Sequence, residues 1–285
     1  MKTFSRVWLA ASLIAIGVGI GILVIAFASG ARWEDVSPVT NMYESYDDIN
    51  SLDFDITYGE VRIEQGNEFS ISAHNIIEDQ FSSYVKDGVW YIREDESNYF
   101  DLFGIRVPAR HNINIGWNDH FTPYITITIP ENFTAQNISL RVEAGSVNVD
   151  RIKAEESDFN LNAGELQINE LSISGKSQYR VRAGEMMLKK MDAKDITVDC
   201  GIGSVKIDGI ITGDSNIKCG LGQVYLDLAA KENDYSYDIN CGIGEVKING
   251  EEYNNISNKI IKNGDTDNNL SLDCGVGEIT VDFNK

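Results

Sequence analysis

The chain has 285 residues, of which 44 are acidic and 24 basic, and its formal net charge is −20 at pH 7. Such a negative field repels nucleic acid and anionic lipid headgroups, so we expect no nucleic-acid partner. The charge suits a solvated domain outside the cytoplasm that meets cations or basic partners.

The first predicted element is an uncharged apolar run from Val7 to Ala28. Its 22 residues suffice to cross a hydrocarbon core of ~30 Å as one helix. Lys2 and Arg6 precede the run, which predicts a cytoplasmic N-terminus and an exported remainder. The pattern therefore predicts a single-pass cell-membrane protein whose residues 7–28 contact the lipid bilayer.

We expect a cytoplasmic tip and signal-anchor over residues 1–30 and a juxtamembrane linker over 31–49. Cleavage after Ala28 is the alternative, because Ala26-Phe27-Ala28 resembles a small-residue cleavage site. Cleavage would release the domain from the membrane.

From residue 50 to the end, one pattern recurs around a glycine. Seven copies align on Gly145, Gly164, Gly184, Gly203, Gly222, Gly244 and Gly277, at steps of 19, 20, 19, 19, 22 and 33 residues. A period near twenty without a helix pattern is typical of a solenoid, in which one unit buries its apolar face only against its neighbours. The sequence thus predicts an all-β fold, a parallel β-helix or closely related β-solenoid of about eight rungs.

Apolar residues alternate with polar ones on both sides of each glycine, which is the period of a β-strand. The apolar positions lie five and three residues before the glycine and two and four after it, as in Leu140, Val142, Val147 and Val149 around Gly145. We expect these positions to form inward columns. A third apolar position, seven residues after the glycine, suggests a further short strand at Ile152, Leu171, Met191, Ile210 and Ala229.

An eighth copy around Gly59 is separated from the others by a β-rich insert at about residues 66–124. The insert carries eleven aromatic residues and all three histidines. One interpretation is a set of hairpins that cap the solenoid and block strand addition at its open edge. The other is a surface that contacts a partner or glycan through aromatic residues. Its candidate binding residues are Trp90, Tyr91, Trp117 and Phe121.

The four cysteines, Cys200, Cys219, Cys241 and Cys274, all stand three residues before a repeat glycine. This register predicts a ladder inside the core. Steps of ~4.8 Å keep four thiols from converging on one zinc ion with bonds of ~2.3 Å. We favour buried free thiols that fill space, while disulfides between neighbouring rungs remain the alternative.

Asp and Asn recur five residues after the glycine, which predicts a column at the strand exits. Turn chemistry explains such residues through hydrogen bonds to their own backbone. A calcium ion between Asp208 and Asp227 is the alternative. No other metal or cofactor is expected. Residues 251–268, rich in Asn and Asp, are expected to form a loop insertion.

The sequence contains no G-x-S-x-G, H-E-x-x-H or phosphate-loop motif, and no histidine lies within the repeats. We therefore expect no enzymatic activity. The less favoured alternative is a β-helix enzyme acting on polysaccharide, with Arg180 or Arg182 among its acidic and basic residues.

The recurring G-x-[VIL]-x-[VIL]-[DN] strand pair, the uncharged N-terminal span and the segment YITITIPENF resemble the bacterial putative-adhesin family of β-strand repeat proteins. The resemblance covers most of residues 50–285 and carries over no catalytic residue. It implies a non-catalytic β-solenoid at the cell surface that presents a binding surface to an envelope polymer or membrane protein. The alternative is an accessory protein of a cell-envelope stress-sensing system that acts through a membrane partner.

Overall fold

The computed structural model describes residues 39–94, 99–102, 105–108, 122–263 and 266–284. The first strands are β1 (Val39–Tyr46), β2 (Ser51–Ile56), β3 (Glu60–Gly66), β4 (Phe69–Ile77), β5 (Phe81–Lys86), β6 (Val89–Glu94), β7 (Tyr99–Leu102), β8 (Ile105–Pro108), β9 (Tyr124–Pro130), β10 (Ala135–Val142), β11 (Ser146–Val149) and β12 (Ile152–Leu161). The remaining strands are β13 (Glu165–Ile168), β14 (Leu171–Ile173), β15 (Ser177–Val181), β16 (Glu185–Lys194), β17 (Ile196–Cys200), β18 (Ser204–Thr212), β19 (Asp214–Cys219), β20 (Gln223–Leu228), β21 (Ser236–Ile248), β22 (Glu251–Ile261), β23 (Asn269–Cys274) and β24 (Glu278–Phe283). A 3-10 turn spans Glu232–Asp234.

Each rung consists of a strand that enters the repeat glycine and a strand that leaves it. Entering strands stack in parallel on one wall, where Leu140 lies beside Phe159. Leaving strands stack on a second wall, where Val147 lies beside Leu166. In spatial order the first wall is β2, β10, β12, β15, β17, β19, β23 and β21, and the second is β3, β11, β13, β16, β18, β20, β24 and β21. The predicted all-β solenoid of eight glycine-centred rungs is confirmed.

The core lies between the two walls and runs the length of the stack. All four predicted inward columns are buried in every rung, from Phe54 and Ile63 in the first to Ile239 and Ile248 in the last. Burying an aliphatic side chain of this size contributes about 1.5–3 kcal/mol, so each rung gains most of its stability from the neighbours that cover it.

A third wall is formed by the start of β12, the whole of β14 and the ends of β16 and β18. Ile152, Leu171 and Met191 are buried there, as predicted. The prediction for Ile210 is wrong, because β16 has a bulge between Leu188 and Met191 that β18 lacks. Met191 therefore pairs with Gly209, and Ile211 takes the inward position. Ala229 is half-buried.

The N-terminal end of the stack is covered by strands from the insert and by β1 and β9, which flank it in sequence. β6 and β9 extend the two walls by one further parallel layer, outside β2 and β3. β4 pairs with β9, β1 with β4 and β5 with β6, all antiparallel. The predicted cap is confirmed for these strands, and β1 occupies part of the region 31–49 that we expected to be a linker.

The C-terminal end departs from the predicted order of rungs. The Gly277 rung, made by β23 and β24, lies between the Gly222 and Gly244 rungs, so the last rung in sequence is not the last in space. The expected loop at 251–268 is also wrong, because β22 runs antiparallel along β21 and covers the end of the stack. Asn249 and Gly250 connect these strands with φ angles of 47° and 80°, as a two-residue turn of type I′ requires.

Within residues 39–94, 99–102, 105–108, 122–263 and 266–284, no helix is long and apolar enough to span a lipid bilayer. The predicted signal-anchor at residues 7–28 lies outside this part of the chain.

Candidate binding groove

A groove runs along the outside of the stack at the corner where the two walls meet. The repeat glycines form its floor. Its first section, of about 830 Å³, extends from Gly59 to Gln223, and its second, of about 550 Å³, from Leu221 to Glu278. The two sections share Leu221, Gly222 and Gln223, so the groove is continuous along the eight rungs.

The floor consists of glycine because successive rungs approach each other closely there. A Cβ on Gly164 would lie 2.1 Å from the carbonyl oxygen of Gly145, and one on Gly203 would lie 2.1 Å from that of Gly184. Of the eight repeat glycines, Gly59 has a left-handed φ angle of 120°, whereas the φ angles of the other seven lie outside the left-handed region. Contact between rungs, rather than a special bend, therefore requires glycine at most positions.

One edge of the groove is formed by the residue before each repeat glycine, and the size of this residue changes along the stack. The residue before the glycine is Ala in the Gly145, Gly164 and Gly184 rungs. In the next four rungs it is a large aliphatic residue. These four residues, here called the apolar stripe, are Ile202 (67 % exposed), Leu221 (61 %), Val276 (54 %) and Ile243 (82 %).

The unexpected rung order sets the order of the side chains within the apolar stripe. Val276 precedes Gly277 and therefore lies between Leu221 and Ile243 in space, although it follows both in sequence. Four rungs at ~4.8 Å give a stripe about 14 Å long. Single exposed aliphatic residues are ordinary on soluble proteins, whereas a row of four on adjacent strands makes the groove a candidate interaction site.

The opposite edge of the groove, here called the acidic edge, is formed by the residue after each glycine. In spatial order these residues are Glu60, Ser146, Glu165, Glu185, Ser204, Gln223, Glu278 and Glu245. The Lys247 ammonium group lies 2.5 Å from Glu245 Oε2 and 3.3 Å from Glu278 Oε1, so it compensates part of the charge at the C-terminal end. Hydrogen bonding to Glu245 raises the pKa of Lys247.

The cysteines lie directly beneath the groove floor. They form the predicted ladder, in the spatial order Cys200, Cys219, Cys274 and Cys241, and all four are buried free thiols. A Cβ on Gly222 would lie 2.9 Å from Cys200 Sγ, which shows how thin the floor is. Burial raises the pKa of the Cys274 thiol to about 12. At neutral pH this thiol is therefore protonated and acts as a small apolar side chain.

The sequence pattern of the Toastrack DUF4097 family matches residues 49–282. This range includes all eight repeat glycines and all of their strands except the last residue of β24. The chain belongs to the Toastrack DUF4097 family. The resemblance to adhesin-like repeat proteins is thereby confirmed at the level of the family, whose function is not established.

Several solved structures are similar to this Toastrack domain. A putative adhesin from Bacteroides fragilis NCTC 9343 is 12% identical, with a TM-score of 0.44 over 86% of this chain and 97% of that one. A putative cell adhesion protein from Clostridium sporogenes ATCC 15579 is 14% identical, with a TM-score of 0.34 over 87% and 100%. A putative lipid binding protein from Parabacteroides distasonis ATCC 8503 is 12% identical, with a TM-score of 0.34 over 85% and 96%. Among curated proteins there is no significant match.

Trp90 and Tyr91, two of the four aromatic residues predicted to bind a partner, do not line the groove of this Toastrack domain. Trp90 is 0 % exposed, its ring packs edge-on against Phe54 at 5.4 Å, and its Nε1 donates a hydrogen bond to Ser83 Oγ. The prediction that Trp90 contacts a partner is therefore wrong. It failed because β6 continues the first wall, which places Trp90 opposite Leu52 with its side chain in the core.

Tyr91, on the outward face of the same strand, is half-buried. Its ring stacks on Tyr84 with centroids 5.2 Å apart, and the Arg93 guanidinium group lies 4.9 Å from its centre. Trp117 and Phe121 lie outside the described residues. Partner binding by Tyr91, Trp117 and Phe121 stays a prediction.

The Toastrack rungs do place Asp208 beside Asp227, which in turn lies beside Asp282. Asn284 donates a hydrogen bond to Asp227, and the Tyr225 hydroxyl donates one to Asp282. The bond to Asp282 raises the pKa of Tyr225 to about 12. Within the described part of the chain, no three His, Cys, Asp or Glu residues are grouped to hold a metal ion. Calcium binding at Asp208 and Asp227 stays a prediction.

The basic residues considered for catalysis lie on an outward strand face. Arg180 pairs with Asp158 at 3.4 Å and donates further hydrogen bonds to Asn160 and Gln178. These side chains form an exposed ladder of opposite charges, which is ordinary for a solvated sheet face.

Proposed function

We propose that this Toastrack protein is a non-catalytic interaction module of the cell envelope that binds a partner through its groove. The apolar stripe is the observation that carries the proposal. Its four aliphatic side chains are mostly exposed, yet each is attached to a rung held by parallel neighbours and a buried core. A surface that is apolar and already rigid loses little conformational entropy when a partner covers it.

The proposal places the module outside the cytoplasm, tethered by the predicted anchor at residues 7–28. This placement rests on the sequence alone. A charge of −20 favours a solvated domain and partners with basic groups.

The test measures binding of the full chain, in nanodiscs of zwitterionic lipid, to intact bacterial cells and to isolated cell-wall material. The stripe variant carries Leu221→Asn and Ile243→Asn. The matched control carries Ile260→Asn, because Ile260 is equally exposed, at 62 %, but lies on β22 away from the groove. Empty nanodiscs provide the blank.

We expect saturable binding that the stripe variant weakens by about 2 kcal/mol or more, roughly thirtyfold, because two partly buried aliphatic contacts are lost. The control should bind within about twofold of the wild type. Circular dichroism and thermal unfolding verify that each variant is folded. Equal binding by the stripe variant and the wild type would remove the groove from the proposal.

A further inference from the structure

We propose that the groove docks a basic amphipathic helix of a partner protein. The apolar face of that helix covers the apolar stripe, and its Lys or Arg side chains lie along the acidic edge. This inference rests on the proposed function and names the chemistry of the partner. It follows from the spacing of the stripe and from the charges beside it.

The spacing distinguishes a helix from an extended strand. Stripe residues repeat at about 4.8 Å, the distance between neighbouring strands. A helix presents one face every turn, about 5.4 Å, so three steps along it differ from three rungs by about 1.8 Å. An extended peptide presents one face every second residue, about 6.8 Å, and the same three steps differ by about 6 Å. Side chains of a helix stay in register with all four stripe residues, whereas those of an extended peptide do not.

The two edges of the groove match the two faces of such a helix. The stripe is aliphatic, and the opposite edge carries Glu185 before the stripe and Glu278 and Glu245 beside it. Lys247 contacts the carboxylates of Glu245 and Glu278. Glu185 lies one rung before the stripe and is exposed. A helix with basic residues flanking its apolar face gains both hydrophobic and electrostatic contacts here.

The same charges argue against a second copy of this chain as the occupant. A symmetric dimer through the stripe would pair two molecules that each have a net charge of −20, and with its two-fold axis across the stripe it would bring the two acidic edges together. Like charges facing each other across an interface are unfavourable, and they suppress this association. A partner of opposite charge fits the groove better.

The experiment titrates defined peptides into the full chain in zwitterionic nanodiscs, with empty nanodiscs as the blank. The first probe is a 15-residue peptide of Leu and Lys with leucines at positions 2, 6, 9 and 13, which form one helical face. The second has the same composition, with leucines alternating as on an extended strand. The third keeps the helical pattern but has Glu in place of every Lys.

We expect the helical Leu/Lys peptide to bind at least tenfold more tightly than either other peptide and to gain helical circular dichroism on binding. Leu221→Asn with Ile243→Asn should weaken its binding at least tenfold, and Ile260→Asn should change it less than twofold. Glu185→Gln with Glu278→Gln should weaken binding several-fold and reduce its salt dependence. Glu252→Gln, an exposed residue on β22, is the matched control and should have no effect.

Each of the following results would overturn the inference. Equal or tighter binding of the alternating peptide would assign the groove to an extended strand. Equal binding of the Glu peptide would remove the role of the acidic edge. A wild-type dimer in sedimentation that becomes monomeric in the stripe variant would assign the stripe to a second copy. If cells are bound through the stripe but no peptide is, the helix inference fails and the proposed function stands. If the stripe affects neither kind of binding, both fail.

Discussion

Single residues of the repeat have roles that depend on the adjacent rung. A strand's own sequence shows which side chains point inward, because alternation fixes them, and the columns through Val142 and Val147 were predictable for this reason. The reason for glycine was not predictable from one repeat. It is the carbonyl oxygen of the glycine in the neighbouring rung, which lies where a Cβ would be.

This contact leads to a prediction for two alanine substitutions. Gly164→Ala should reduce the free energy of unfolding by about 3 kcal/mol, because its Cβ would lie 2.1 Å from a backbone oxygen that cannot move without shifting a rung. Gly275→Ala should cost about 1 kcal/mol, because the nearest oxygen is 3.1 Å away. Denaturant unfolding of both variants measures the difference. Similar losses would contradict the view that spacing between rungs sets the need for glycine.

The apolar stripe was overlooked in the sequence even though its pattern is visible there. The residue between Cys-Gly and the repeat glycine is Ile, Leu, Ile or Val in the last four copies, whereas the three copies before them have Ala. Alternation assigns this position to the outside, and stacking of the rungs places equivalent residues side by side, so the repeat register could have predicted the stripe. Trp90 shows the opposite error, because an aromatic residue in an insert was assigned to the surface when its strand extends the core.

Among the elements, the strands of the glycine repeats were predictable and the order of the terminal rungs was not. Each rung has the same inward pattern and the same backbone edges, so any rung can pair with any other and no repeat specifies its neighbour. The strand β22 could have been predicted. The Asn249-Gly250 pair that precedes it is a strong hairpin signal, which the polar residues after it concealed.

The position of the Gly277 rung predicts that it can be supplied as a separate peptide. A chain that ends at Lys262 lacks β23 and β24, and it leaves the edges of β19, β20 and β21 without their partner strands. We expect this chain to unfold at a lower temperature by 10 °C or more and to aggregate, since it exposes strand edges in the middle of the core.

Adding a synthetic peptide of residues 266–285 should restore most of the thermal stability, because strand addition supplies the missing backbone hydrogen bonds. The control peptide carries Ile279→Asn and Val281→Asn, which place polar groups in two buried columns. It should not restore stability. Thermal unfolding with each peptide checks this, and an undiminished stability of the truncated chain alone would show that the outer rung docks directly on the Gly222 rung.

At the scale of the whole molecule, the continuous core encloses polar groups that titrate at high pH. The Tyr179 hydroxyl is buried near Ser157 and Ser177, and burial raises its pKa to about 12 from an ordinary value of about 10. The folded state thus holds the proton to a higher pH than the unfolded state. The associated stability is complete below pH 10 and is lost as the pH rises toward 12.

We therefore expect the free energy of unfolding to fall between pH 9 and pH 11, with Tyr179 alone contributing about 1 kcal/mol of the loss. The variant Tyr179→Phe should show a correspondingly shallower decrease. Urea unfolding at pH 8, 9, 10 and 11 measures both slopes. Equal slopes in the two proteins would mean that Tyr179 ionises in the folded state as readily as in the unfolded chain.

The enclosed Gly277 rung also sets a time order for the biosynthesis of this protein. The Gly244 rung and β22 are synthesised before β23 and β24, which lie between them and the rest of the stack. In that interval the exposed edge at Cys219 could accept Cys241 in the same register that Cys274 later takes. A nascent chain must keep this position open, or vacate it, until β23 and β24 have been synthesised. A chain that stops between β22 and β23 therefore lacks an internal layer rather than an end, so the last two strands must be made before the inside of the stack is complete.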